Sequence, residues 1–355
     1  MAFLREIYYQ NRDNKSIILY NSAMVMKTFH IQWHITDRCN LRCIDCYQEK
    51  YTRETELPFD KLMQICKNLG CAMKKWNKHL TINLTGGEPL LKNDIWELVD
   101  YLNRADYVDE IGLITNGTII DKYIHSLKEY KKLKTIYISL DGTTPEINDD
   151  VRGNGTFRKT IENIKILIEN SIPLTLMLTL MKSNLKDAGD FYSFAKSLGV
   201  AGYIIERFVP LGNGLKISDK VVNGEELNDL YRSIFRNCEV EYEPQDMVKY
   251  KAIQVKFSEK DVFAAECIVA KDGMALLPDG TVLPCRRLNI PVGNLLRDSL
   301  ENIWNNSEVL NNLRNKKILK GKCGKCKFED CTGCRAMIYS LTGDFLGEDF
   351  HCWLE

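Results

Sequence analysis

The sequence predicts an α/β chain in which a partial (β/α)6 barrel is followed by a small cysteine-rich α+β domain. Three observations carry this prediction. Strand and helix patterns alternate from Thr28 to Val209, as expected of a parallel sheet covered by helices. The alternation stops near Gly224, and seven of the thirteen cysteines lie beyond residue 266. The implied segments are 1–27 (N-terminal extension), 28–223 (barrel), 224–265 (connector) and 266–355 (cysteine-rich domain).

Element by element, Thr28 to Thr36 reads as a strand running into a cysteine loop. After Pro58, the residues Phe59, Leu62, Cys66, Leu69 and Met73 share one helical face, and His79 to Thr85 is a β-rich run in which His79 is expected to pack in the core. A helix from Asp94 to Ala105, a strand from Asp109 to Thr115, a helix from Asp121 to Tyr130 and a strand from Lys134 to Leu140 follow. Thr144-Pro145 has the form of an N-cap with proline at the first helical position. Phe157, Ile161, Ile164 and Ile168 then line one helical face, and Pro173 to Leu180 is a nearly continuous apolar run. Helix Asp187 to Leu198 ends at Gly199, and Tyr203 to Val209 is the sixth strand. Beyond a helix near Glu225 to Arg236, the chain to Glu266 reads as a polar connector. Met274 to Leu283 reads as a hairpin around Asp279-Gly280, and Asp298 with Glu301 as a helix-capping pair.

Composition excludes some partners. Lys plus Arg equals Asp plus Glu at 48 each, so no global field draws the chain to nucleic acid or an anionic membrane. The start, MAFLREIYYQNRDNK, lacks the pattern of a secretory signal, and no stretch reaches spanning length. A cytoplasmic protein is the expectation, and in a reducing compartment thirteen cysteines point to metal binding or catalysis.

The first cysteine group is Cys39-x3-Cys43-x2-Cys46-Tyr47, directly after a strand. Three thiolates on a cubane of four irons leave one iron open to a further ligand. Structural zinc would ask for a closed tetrahedron, which this triad alone does not complete. Just after the next strands come Gly86-Gly87-Glu88-Pro89, Thr115-Asn116-Gly117 and Ser139-Leu140-Asp141-Gly142. In a barrel these loops converge on one face. Glycines at 86 and 87 permit close approach of backbone to a ligand, and the Glu88 carboxylate can accept hydrogen bonds from an ammonium group.

Together the triad and Gly86-Gly87-Glu88-Pro89 closely resemble the radical SAM enzymes, from about residue 29 to the C-terminus. The resemblance implies a TIM-like partial barrel and a 4Fe-4S cluster on Cys39, Cys43 and Cys46. It also implies S-adenosylmethionine chelated at the open iron and cleaved to a 5′-deoxyadenosyl radical. It places Tyr47, Gly86, Gly87, Glu88, Asn116, Ser139, Asp141 and Arg152 around that cofactor, with Ser139 and Arg152 at positions that hold its ribose or carboxylate. Turn roles for Asn116 and Asp141, and a surface ion pair for Arg152, are the plainer alternatives. A flavodoxin- or ferredoxin-type protein would supply the electron.

The second group is Cys267, Cys285, then Cys323-x2-Cys326-x4-Cys331-x2-Cys334, then Cys352. A zinc ribbon would use only the four central cysteines, whereas seven thiolates suffice for one complete cluster and three-quarters of another. This region resembles the SPASM domain of radical SAM enzymes that modify peptides, proteins and some small molecules. By that resemblance Cys267, Cys285 and Cys334 hold one auxiliary 4Fe-4S cluster, and Cys323, Cys326, Cys331 and Cys352 a second, three clusters in all. The two later gaps are each one residue shorter than the family's usual C-x2-C-x5-C-x3-C. Cys238 is a candidate fourth ligand to the first auxiliary cluster only because it lies upstream. Packing is the expected role of Cys66, Cys71 and Cys238.

Sulfatase-maturing members carry a basic aspartate directly after the equivalent of Cys285, and this chain has Arg286-Arg287. Guanidinium cannot accept a proton at neutral pH, so that activity is disfavoured and carboxylate recognition by Arg286 is expected. Two substrates fit. One is a ribosomally made peptide or protein undergoing crosslinking, epimerisation or oxidation, preferred on family breadth. With so short a leader before Thr28, a peptide substrate is expected to need a separate leader-peptide-binding partner or to dock directly. The other is a tetrapyrrole whose propionates would meet Arg286, Arg287, Arg207 or Arg335. A non-enzymatic electron-transfer protein would explain the clusters but not the Gly-Gly-Glu-Pro loop.

Overall fold

The computed structural model describes residues 4–9, 28–242, 246–257 and 261–354, so residues 10–27 of the expected N-terminal extension lie outside the described residues. Six parallel strands form the centre: β2 (Thr28–His34), β3 (His79–Thr85), β4 (Val108–Thr115), β5 (Leu133–Ser139), β6 (Leu174–Leu180) and β7 (Gly202–Arg207), with β1 (Leu4–Tyr9) preceding them. They pair in sequence order and remain an open sheet rather than a closed ring, as the sequence predicts.

The strands alternate in character because successive side chains face opposite sides. In β2 the residues Phe29, Ile31 and Trp33 are buried in the main core. His30, Gln32 and His34 occupy the other face, where His30 Nδ1 lies 2.9 Å from Thr81 Oγ1 of β3. Further round the sheet this inner face turns apolar, with Ile114, Tyr137, Met177 and Ile204 packed together on β4 to β7. The outer face is covered by α1 (Phe59–Trp76), α2 (Ile95–Arg104), α3 (Ile124–Glu129), α4 (Pro145–Arg152), α5 (Thr156–Glu169) and α6 (Leu185–Leu198). Burial is thus segregated: helices and outer face supply the core, and polar groups line part of the interior.

Several local expectations change. The helix expected over Asp121 to Tyr130 divides into a 3-10 turn, Ile120–Tyr123, and α3. Phe59 is exposed in the first turn of α1, while Cys66 is buried there and Cys71 is exposed. His79 does not join the core, since it lies at the strand entrance and pairs with Asp109 at 2.8 Å. Ser299, not Asp298, caps α8 (Leu300–Asn306), which follows α7 (Gly224–Asn237); its hydroxyl accepts from Asn302 N, and Asp298 Oδ2 accepts from Asn294 N instead.

The largest difference lies in the expected polar connector. It contains β8 (Ala252–Lys256), which extends the sheet antiparallel to β7, and β9 (Asp261–Cys267), which pairs antiparallel to β8 and on its other side with β1. The period-two alternation in β8 lasts only five residues, with Ile253 and Val255 buried in the core, too short a run to stand out in sequence. At the opposite edge β10 (Gly273–Leu276) pairs parallel to β2. β11 (Thr281–Leu283) then returns antiparallel through the predicted Asp279-Gly280 turn, where Gly280 has φ +83°, and β12 (Gly293–Asn294) follows. The cysteine-rich region is therefore continuous with the barrel sheet at both edges. Among the described residues, no helix is long and apolar enough to cross a membrane.

Two glycines test this packing with opposite signs. A Cβ on Gly202 would lie 2.1 Å from the Val255 carbonyl oxygen at the junction of β7 and β8, whereas one on Gly189 in α6 meets nothing within 4 Å. Gly202→Ala should lower stability by about 1–3 kcal/mol through forced backbone separation, and Gly189→Ala should raise it by up to about 1 kcal/mol through helix propensity. Chemical denaturation midpoints of the two variants, moving in the same direction, would contradict the arrangement.

Candidate functional site

After β2 the chain forms an irregular loop that carries Cys39, Cys43 and Cys46, all half-buried. Such a loop needs external anchors for its backbone. Gly87 N donates to Thr36 O at 2.8 Å, Glu88 N to Arg38 O at 2.7 Å, Ile44 N to Val151 O of α4 at 2.9 Å, and Gly214 N to Cys46 O at 3.0 Å. A Cβ on Gly86 would stand 2.5 Å from Thr36 O, and one on Gly87 2.4 Å from Arg38 O. In this structure, then, the two glycines admit the base of the cysteine loop itself, in addition to any ligand approach.

Burial raises all three thiol pKa values, Cys39 to about 11 and Cys43 further still. Thiolate is favoured by neighbouring groups, Leu41 N on Cys39 Sγ and Gln48 N on Cys46 Sγ, each at 3.4 Å, with the Tyr51 side chain also at Cys46 and the Arg152 charge at Cys43. Metal binding at these sulfurs would therefore release protons.

Glu88 is fully buried. Its Oε1 accepts from Thr115 Oγ1 (2.8 Å) and Leu90 N (3.2 Å), and its Oε2 from Asn116 N (2.8 Å), so the carboxylate ties the loops after β3 and β4 together. Burial pushes its carboxyl up to about 7 against these three donors. Asn116 donates from Nδ2 to Asn40 Oδ1 at 2.9 Å and reaches Cys39 Sγ at 4.0 Å. Ser139 stands at the end of β5 beside Met177 of β6. Asp141 is buried, accepts from Thr179 N at 2.8 Å, and pairs with Arg152 Nε at 2.7 Å. The plainer alternative of a surface ion pair at Arg152 does not hold. Burial disfavours its charge, but Asp141, Cys43 and Asp45 around it keep the guanidinium protonated.

Arg286 is buried and lies against the first cysteine loop. Its Nε donates to His34 Nδ1 at 3.1 Å, and its guanidinium lies 4.1 Å from the Tyr47 ring centroid. With Nδ1 accepting, the His34 proton is on Nε2, 2.9 Å from Asp37 Oδ1. Burial, then the Arg286 charge, lower the His34 pKa to about 4, so the ring is neutral. Tyr47 donates from its hydroxyl to Gly86 O at 3.0 Å. The Arg286 terminal nitrogens have no hydrogen-bond partner among the described residues. Arg287 instead donates to Arg207 O (2.8 Å) and Glu206 Oε2 (2.9 Å). Arg207 bonds Tyr250 O, and Arg335 donates to Phe345 O and Gly347 O. Sequence reading missed His34 and Asp37. The one signal was the spacing of His30, Gln32 and His34 on the inner face of an otherwise apolar strand.

The later cysteines line two separate cavities. One is bounded by Cys267, Cys285 and Cys334 with Arg207, Lys251, Arg287 and Arg335. The other, of about 550 Å3, is bounded by Cys323, Cys326, Cys331 and Cys352 with Lys322, Lys325 and Asp349. Cys238 lines neither and is packed in the core. Among the described residues no group of three His, Cys, Asp or Glu converges on a single-ion position. Thiols spread around a cavity suit a multi-iron group, whose ligands sit on different irons. Asp349 organises both sites: Oδ2 accepts from Cys334 N at 2.8 Å, and its own N–H points at Cys323 Sγ, 3.3 Å away. Burial opposes its ionisation, but Lys251 and Arg207 prevail and draw its carboxyl down to about 2.

A sequence model of the Radical SAM superfamily matches residues 33–195, and one of the iron-sulfur cluster-binding SPASM domain matches residues 267–334. The chain is 29% identical over 339 residues to the AdoMet-dependent heme synthase of Methanosarcina barkeri, covering 91% of this chain and 95% of that one. It is 25% identical over 343 residues to the mycofactocin maturase MftC of Mycobacterium tuberculosis, covering 91% of this chain and 82% of the relative. The solved structure of Streptococcus suis SuiB bound to precursor peptide SuiA shares the fold, with a TM-score of 0.70 at 17% identity over 93% of this chain and 76% of that one. Both domain matches agree with the cysteine spacing and the sheet: this chain is a member of the radical SAM superfamily with a C-terminal SPASM domain.

Proposed function

We propose that this radical SAM enzyme abstracts a hydrogen atom from a carboxylate-bearing substrate held by Arg286, with Cys39, Cys43 and Cys46 holding the radical-generating cluster. The carrying observation is the placement of Arg286. It follows Cys285 at the first auxiliary cavity yet stacks on Tyr47 of the first cysteine loop, and its terminal nitrogens remain available. Cys39, Cys43 and Cys46 would hold a 4Fe-4S cluster, which when bound would supply the electron for reductive cleavage of S-adenosylmethionine and so the radical chemistry at the substrate. The protein's part is positional. Asn116 orients Cys39, the Asp141–Arg152 pair fixes the wall beside Cys43, and neutral His34 fixes the guanidinium of Arg286 so that its fork faces an incoming carboxylate. Cys267, Cys285 and Cys334 would hold one auxiliary cluster, and Cys323, Cys326, Cys331 and Cys352 a second.

For the substrate we favour a tetrapyrrole with propionate side chains, since the similarity to the heme synthase runs along nearly the whole of both chains. A peptide substrate is the second reading, supported by the similarity to the maturase MftC. Arg286 is the carboxylate receptor among the four arginines, because Arg207, Arg287 and Arg335 are committed to protein acceptors.

The anaerobically reconstituted protein with dithionite should convert S-adenosylmethionine to 5′-deoxyadenosine, and Cys39→Ala should abolish this. Turnover surviving in Cys39→Ala would refute the radical-generating site. Iron and sulfide analysis should give about twelve of each per chain for three clusters, and about eight would remove one auxiliary cluster. Product formation should be coupled to an iron-porphyrin with propionates rather than to a precursor peptide, and the reverse would install the peptide reading. Arg286→Gln should raise the KM for that substrate roughly 10- to 100-fold, as loss of a charge-assisted pair costs about 1.5–3 kcal/mol, while uncoupled S-adenosylmethionine cleavage persists. An unchanged KM would displace Arg286 from the binding role.

A further inference from the structure

The chain is neutral overall, yet from Val309 to Phe328 it carries seven basic residues and no acidic one. The fold places that run against the larger of the two cysteine-lined cavities. α10 (Gly321–Lys325), which follows α9 (Glu308–Arg314), contributes Lys322 and Lys325 to the cavity wall. The turn Lys316–Ile318 is fastened to the same wall by Lys316, whose ammonium donates to Cys326 O at 2.8 Å and Phe328 O at 2.5 Å. Lys320 and Lys322 have the carboxylates of Asp344 (2.6 Å) and Glu348 (3.7 Å) beside them. Lys317 and Lys325 are exposed and have no carboxylate partner among the described residues. Among the described residues, Ile318 in the same turn is an exposed large apolar side chain. A cationic rim with an apolar point beside it suits a weak, electrostatically steered protein contact more than a permanent interface.

We propose that this lysine-bearing face, around Lys317 and Lys325, is the docking surface for an acidic one-electron carrier protein. The inference rests on the reading above only in that the enzyme needs an external reductant. Charge complementarity and place together select the occupant. The positive run contributes Lys322, Lys325 and Lys327 to the wall of the cavity of Cys323, Cys326, Cys331 and Cys352, three of which are only half-buried, so a carrier bound there brings its redox group close to that thiol set. Long-range steering raises the encounter rate and is suppressed by salt.

The test is calorimetric binding of an acidic low-potential flavodoxin to the anaerobic holoenzyme, at about 50 mM and about 300 mM salt. The wild-type complex should weaken steeply with salt. Lys317→Glu/Lys325→Glu should raise Kd at low salt at least about tenfold and flatten the salt dependence, with Lys186→Glu on α6 as a control that binds like wild type. Iron content confirms that the double variant keeps its clusters, and Lys317→Glu alone, away from the cysteines, should show a smaller shift of the same sign. Equal binding by wild type and both variants, no binding by wild type, or a 20-nucleotide RNA binding more tightly through the same lysines would each overturn the proposal. Dithionite-driven cleavage of S-adenosylmethionine is read separately, so failure of the catalytic reading and failure of the docking surface give different results.

Discussion

The arrangement depends on one close backbone contact, the docking of Gly86-Gly87-Glu88 against Thr36 and Arg38. Two hydrogen bonds of 2.7 and 2.8 Å join the segments, and there is no room between them for a side chain. From this point Glu88 reaches across to Thr115 and Asn116, and Asn116 reaches Asn40 and Cys39. A single buried carboxylate thereby links the ends of three strands. An unpaired buried charge would be costly, and three donors from two loops offset that cost only while the loops stay together. The order of the cysteine loop follows from the same contact.

A second constraint is the continuity of the sheet. The C-terminal region is not simply tethered, because β10 pairs with β2 and β9 pairs with β8 and β1. The segment after β11 then touches both outer parallel strands, through Arg286 to His34 on β2 and through Arg287 to Glu206 on β7. Both cysteine-bearing regions are held to one rigid framework, which is what fixes the reach of a guanidinium between them.

Much of this was legible in the chain itself because the cysteine spacings, the Gly-Gly-Glu-Pro loop and the six βα units are local patterns. What escaped is what depends on distant partners. His34 gains its meaning from Arg286, 252 residues later. Asp349 is one aspartate among many until Cys323, Cys334 and Lys251 surround it. Strand β8 is short, and β9 is held between β8 and the distant β1, so sequence periodicity alone left both as a connector. The expected cap at Asp298 failed by one residue, since both Asp298 and Ser299 can cap and only the turn geometry selects between them.

The pairing of β1 with β9 has a consequence for how the molecule comes together. Leu4 is opposite Cys267, so β1 waits for a partner made more than 250 residues later. Contacts of such sequence separation are slow to close and are formed late. The six parallel strands can accumulate in order as the chain emerges, but the edge that carries Cys267 is completed only when both ends of the barrel exist. Assembly of the first auxiliary site is in this sense a report that the rest of the sheet has already formed.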